Sequence, residues 1–187
     1  MFKTTVAAVA LAAMTVPALA ASHEEGGNPM VGGAEMFADK NIVENAMNSA
    51  DHTTLVAAVQ AAGLVETLQG EGPFTVFAPT NEAFAALPEG TVENLLKPEN
   101  KEMLTNVLTC HVVAANAMSD AIMGMVDDDG GTHPVETVGP CTLSVTYEGD
   151  NIMIEDENGT VANVTIADVK QSNGVIHVID AVLLPAM

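Results

Sequence analysis

The spacing of apolar residues changes once along this chain, and that change limits the fold more than any other feature. Up to about Ala114 apolar residues recur at helical spacing, whereas beyond it they come in short β-like runs. Ile42, Val43 and Ala46 predict a helix beginning near Asn41. Leu55, Val56, Val59 and Ala62 predict a second, with capping oxygens at Asp51 to Thr54 and Gly63 as its stop. Gly70-Glu71-Gly72-Pro73 is turn chemistry, and Phe74-Thr75-Val76-Phe77 has strand composition. Pro79-Thr80-Asn81-Glu82 resets the chain as a helix start with Phe84 and Leu87 inward. Leu95-Leu96 closes a short helical turn, and Pro98 opens a helix carrying Met103, Leu104, Val107 and Leu108. Runs at 135–138, 142–147, 151–154 and 161–169 predict strands, separated by Gly, Asp, Asn and Pro. Val175-Ile176-His177-Val178-Ile179 is continuous and apolar, as in a buried central strand. Helices first and strands later, without a repeat or dividing linker, predict one α+β domain over 41–187.

Composition narrows function. Among 187 residues, 25 are acidic and only five are basic, all lysine, for a formal net charge of -20. Nucleic acid is disfavoured, because neutralising phosphates needs clustered Lys or Arg. Anionic membrane surfaces are disfavoured for the same reason. Without arginine there is no bidentate clamp for phosphate or carboxylate substrates. Apolar residues make up 48% of the chain, enough for a substantial core.

Residues 1–20 read as a secretory signal. Lys3 precedes an apolar run from Val6 to Val16, and Pro17 with Ala18-Leu19-Ala20 forms a small-x-small cleavage pattern. The run is short for a membrane span, so insertion in a membrane is not expected. Residues 21–40, rich in Gly, Ala, Glu and Met, read as a flexible leader. Export to the periplasm or the medium favours pairing of Cys110 with Cys141 over two separately buried thiols. His111 beside Cys110 raises the question of a nucleophile and its base. On a strand, however, adjacent residues point to opposite faces.

Three segments resemble the fasciclin-like (FAS1) domain family, in its secreted bacterial single-domain form. Gly72-Pro73-Phe74-Thr75-Val76-Phe77-Ala78-Pro79-Thr80-Asn81-Glu82-Ala83-Phe84 is similar to the first family signature. Asn173-Gly174-Val175-Ile176-His177-Val178-Ile179-Asp180-Ala181-Val182-Leu183-Leu184-Pro185 is similar to the second. Leu108-Thr109-Cys110-His111-Val112-Val113 resembles the central Tyr-His segment, with Cys110 where Tyr is usual. The resemblance implies a wedge-shaped β-sandwich of two sheets with a helical lobe from the N-terminal half. It also implies a non-enzymatic adhesion or attachment module, acting on extracellular or cell-surface proteins or polysaccharides as a monomer or weak oligomer. The signature residues Phe74, Thr75, Phe77, Pro79, Thr80, Asn81, His111, Gly174, His177 and Asp180 are expected to act as folding devices. A Cys110–Cys141 tie could stand in for the missing Tyr. Ser119-Asp120-Ala121-Ile122-Met123 lies where animal relatives carry an integrin-related motif, but its spacing is wrong.

No Gly-x-Ser-x-Gly elbow, phosphate-binding Gly-x-x-x-x-Gly-Lys loop or His-Glu-x-x-His motif is present. Asp127-Asp128-Asp129-Gly130 suggests calcium but places Val138 where an EF-hand needs Glu, so it reads as a solvated acidic loop. Glu155-Asp156-Glu157 reads the same way. Two carrier alternatives stand beside adhesion. Cleavage after Ala20 would leave Ala21-Ser22-His23 at the N-terminus, where an amine, amides and imidazole can surround Cu(II) in a square plane. The family resemblance also allows a small apolar ligand of carotenoid type. Five Phe, one Tyr and no Trp make an aromatic clamp for a polyene sparse.

Overall fold

The computed structural model describes residues 28–186. The predicted signal segment and Ala21, Ser22 and His23 lie outside the described residues. Part of the predicted leader is folded. Strands β1 (Met30–Val31) and β2 (Ala34–Glu35) form a hairpin turned by Gly32 and Gly33, at φ 57° and 76°. Val31 and Met36 are buried in the main core. Their burial is what holds residues 28–40 down, and a short hairpin has no long period to reveal it.

The helical half follows. Helix α1 (Ile42–Ala46) starts with a capping box in which Asn41 and Glu44 satisfy each other's backbone N–H groups. Next come α2 (Thr53–Ala62) and α3 (Val65–Leu68). The cap of α2 is not local. Asn81 Oδ1 accepts from Thr54 N at 3.0 Å, and Asn81 Nδ2 donates to Ala50 O at 2.8 Å. After strand β3 (Phe74–Pro79), Thr80 caps α4 (Asn81–Ala85) through Ala83 N. Helices α5 (Thr91–Leu95) and α6 (Lys101–Thr109) complete this half. Cys110 caps the C-terminus of α6, so Cys110 and His111 sit on a helix end and not on a strand.

Strand β4 (Val112–Val113) is followed by a helix that the spacing does not predict, α7 (Ser119–Asp128). Ile122 and Val126 are its only buried residues. Gly124 and acidic residues at the C-terminus, where the helix dipole favours cations, hide it. Asp127 and Asp128 thus belong to a helix, and Asp129 to its cap. Strands β5 (His133–Glu136), β6 (Thr142–Glu148), β7 (Asn151–Glu155), β8 (Val161–Gln171) and β9 (Gly174–Ile179) finish the chain. The first of these runs is displaced from its predicted 135–138 and takes in His133 and Pro134.

Seven strands form one hydrogen-bonded sheet in the order β4-β3-β9-β8-β7-β6-β5. The two layers of the sandwich share β8, whose first residues pair with β7 and whose remainder pairs with β9. Two register shifts interrupt the pairing of β8 with β9, and Asp168, within the second, takes φ 58°. The sheet folds back far enough for its two ends to meet. Val138 N, just beyond β5, donates to Val112 O of β4 at 2.7 Å, and Gly139 N donates to Thr109 O at 3.1 Å. The Cys110–Cys141 disulfide bridges the same junction, with Cα atoms 5.2 Å apart.

Alternation along the central strands creates two cores. Val76, Ala78, Ile176 and Val178 face the helices, while Phe77 and Ile179 face Leu143, Val145, Ile152 and Ile154 of the other layer. Strands β3 and β9 run parallel, with Phe74 opposite Gly174 and Pro79 opposite Ile179. A Cβ on Gly174 would lie 1.9 Å from Phe74 O, so this approach requires glycine. Gly174→Ala is expected to cost at least about 2–3 kcal/mol. Gly124→Ala, in open space on α7, should instead stabilise by roughly 0.5–1 kcal/mol. Urea denaturation of both variants checks the pair; a near-neutral Gly174→Ala would contradict the strand contact.

Candidate functional site

The signature residues converge on the β3–β9 pair and its surroundings. Thr75 is fully buried; its Oγ1 donates to Ala115 O at 2.6 Å and accepts from Ala117 N at 2.9 Å. His177, also fully buried, stacks on Phe77 with ring centroids 5.8 Å apart. Its Nε2 donates to Ala117 O at 2.8 Å and its Nδ1 accepts from Asp168 N at 3.3 Å. Those partners require the neutral ring, and burial lowers its pKa in the same sense. Asp180 accepts from the backbone and side chain of Asn163 at 2.7 and 2.9 Å, tying the end of β9 to β8. Phe74 and Pro79 begin and end β3, while Thr80 and Asn81 supply the caps already described.

His111 occupies the second junction. Its Nδ1 donates to Val107 O at 2.8 Å, and its Nε2 accepts from Leu183 N at 2.9 Å. The ring therefore joins the end of α6 to the C-terminal segment. Burial pulls its pKa down to about 4, against smaller opposing effects of the Val107 carbonyl and the Asp156 charge. His52 is a third neutral, buried imidazole, placed between Ser49 Oγ at 2.8 Å and Ala78 O at 3.4 Å. None of the three rings has a nitrogen left for a metal or a reacting group. Cys110 is in the disulfide and so is no nucleophile.

The polar hubs that sequence reasoning missed have the same character. Asp156, predicted as part of a solvated acidic cluster, is buried and accepts from Asn158 N, Thr160 N and Leu184 N, each at 2.9 Å. Its neighbour Glu157 reaches Thr142 N and Ala186 N. Asn173 accepts from Ile42 N at 3.0 Å and donates to Leu68 O and Gly70 O, joining the β8–β9 turn to the helices. Asn173 was legible as the opening of the second signature segment, but its long-range partners were not. Asp168 accepts from Ser119 N at 2.7 Å and from the Ser119 hydroxyl, supplying the cap that Met118 lacks at the start of α7. Asn45 bonds Phe37 N and O and also Gln171, holding the leader hairpin to β8.

The acidic residues at the end of α7 lie at the surface. Tyr147 donates to Asp127 at 2.6 Å, and His133 contacts Asp129 at 2.6 Å. Among the described residues no three His, Cys, Asp or Glu side chains come together to hold a metal ion. No helix among the described residues is long and apolar enough to cross a membrane. The chemistry available is thus hydrogen bonding and apolar contact, with no activated acid, base or nucleophile in the signature network.

Comparison with known proteins agrees with this geometry. The family model for the Fasciclin domain matches residues 50–185. Protein sll1483 of Synechocystis is 47% identical over 151 residues, covering 78% of this chain and 74% of its own length. Transforming growth factor-beta-induced protein ig-h3 of Sus scrofa is 41% identical over 135 residues; the match covers 70% of this chain but 17% of that protein. The fold is similar to that of a FAS1 domain pair from the insect cell adhesion molecule fasciclin I. The TM-score is 0.69 at 18% identity, over 78% of this chain and 51% of that one.

Proposed function

The chain belongs to the Fasciclin domain family, and from that premise we propose that it is an exported, non-catalytic module for attachment to surface or matrix components. One observation carries the reading. The polar signature residues are engaged in holding strands, helices and termini together, which leaves the acidic exterior as the part that meets partners. Fasciclin I, whose domains share this fold, is an insect cell adhesion molecule, which fits this use of it. A formal charge of -20 repels anionic surfaces at low ionic strength. The partner is accordingly a neutral polysaccharide or protein, or an acidic polymer bridged by divalent cations.

The test is binding of the full chain to polysaccharide and protein fractions stripped from the surface of cells that make it. Saturable binding that rises with sodium chloride or calcium is expected, without chemical change to the bound fraction. Binding indifferent to both additions would argue against an electrostatically limited contact.

A further inference from the structure

Between the helices and the sheet lies a chamber of about 340 Å³. Its walls include Ile42, Leu55, Val59, Leu68, Val76 and Leu108, all of them buried. Protein interiors are packed about as densely as organic crystals and leave few voids larger than a water molecule. An apolar cavity of about 150 Å³ already stays dry and takes up benzene. A chamber of this size and lining has room for apolar matter and offers it apolar contact.

The chamber also specifies charge. No Asp, Glu, Lys or Arg lines it. The His111 ring reaches its wall, but Val107 and Leu183 already occupy both nitrogens. An ionised ligand would thus be desolvated without a partner. Met47, Gln60 and Gln69 are the exposed members of the lining and mark where the chamber meets solvent. The two amides can meet one hydroxyl or carbonyl, and the unbranched Met47 side chain can swing aside.

We propose that this chamber binds a small, neutral, compact apolar molecule with at most one polar end, such as a medium-chain or terpenoid alcohol. At about 30 Å³ per non-hydrogen atom, the volume suits roughly eleven such atoms and not a long polyene. The inference goes beyond the surface-contact reading and does not rest on it, so either can fail alone.

The probes are 1-decanol and sodium decanoate, titrated into the full chain near neutral pH and followed by thermal unfolding and by amide ¹H–¹⁵N shifts. Decanol should raise Tm saturably and bind at least about tenfold more tightly than decanoate, because the carboxylate finds no partner. Its shift changes should gather on residues 42–69 and 104–112. Val59→Phe, which takes up part of the chamber and leaves too little room for about eleven atoms, should fold and lose the decanol response. No saturable response up to decanol's solubility, an equal response to decanoate, or shift changes confined to other segments would each overturn the proposal. A folded Val59→Phe variant that still binds would do the same. If that variant does not fold, the wild-type shift map decides.

Discussion

Removing the Cys110–Cys141 bond through a Cys110→Ala/Cys141→Ala double variant is expected to lower unfolding free energy by about 3–4 kcal/mol. The bond closes a loop with a sequence separation of 31, and in the chain-entropy account the cross-link acts mainly on the unfolded ensemble. In this fold it also sits where the two ends of the sheet meet, beside the Val138–Val112 and Gly139–Thr109 hydrogen bonds. Without it, those two hydrogen bonds and the packing around them would hold β4 against the segment after β5. Urea titration should show the loss together with a steeper m-value, since the unfolded chain is freer to expand. Tm should fall by roughly 10 °C. A loss below about 1 kcal/mol would mean that packing at the junction suffices alone.

Acid should weaken the fold through its buried imidazoles. His111 has a folded pKa of about 4 against an ordinary value of 6.5. Between those values the unfolded chain binds the extra proton, so stability rises with pH. The contribution is fully present above pH 6.5 and is lost as pH falls toward 4. It amounts to about 3 kcal/mol in all, of which about 2 kcal/mol should disappear between pH 7 and 5. Burial shifts His52 and His177 in the same direction, so they add to the slope. Denaturant titrations at pH 7, 6 and 5 check this. Equal stability at the three values would contradict neutral, buried imidazoles.

Helices that bury a full apolar stripe, such as α2 and α6, were legible in the sequence, as was β9 with its unbroken apolar run. So were the turn before β3 and the disulfide. Helix α7 was not, because only Ile122 and Val126 are fully buried and its last turn is acidic. Nor was the leader hairpin, where two buried side chains on two-residue strands make no period. The signature residues could be picked out by resemblance, yet their partners could not. Thr75 meets Ala115 and Ala117, and His111 meets Leu183, at sequence separations of 40, 42 and 72. Asp156 shows the limit most plainly: three acids in a row look solvated, and only the path of the C-terminal segment buries the middle one. The apolar chamber is likewise a product of how four helices meet the sheet, and no single segment announces it.

The central claim is that this domain works by contact through its exterior, with its histidines committed to the scaffold. The most direct test compares attachment by cells of the source strain with and without the gene, to surfaces coated with their own extracellular material. Loss of attachment in the deletion strain, restored by adding the purified full chain, is the expected result. Indistinguishable attachment by the two strains across salt and calcium concentrations would contradict it.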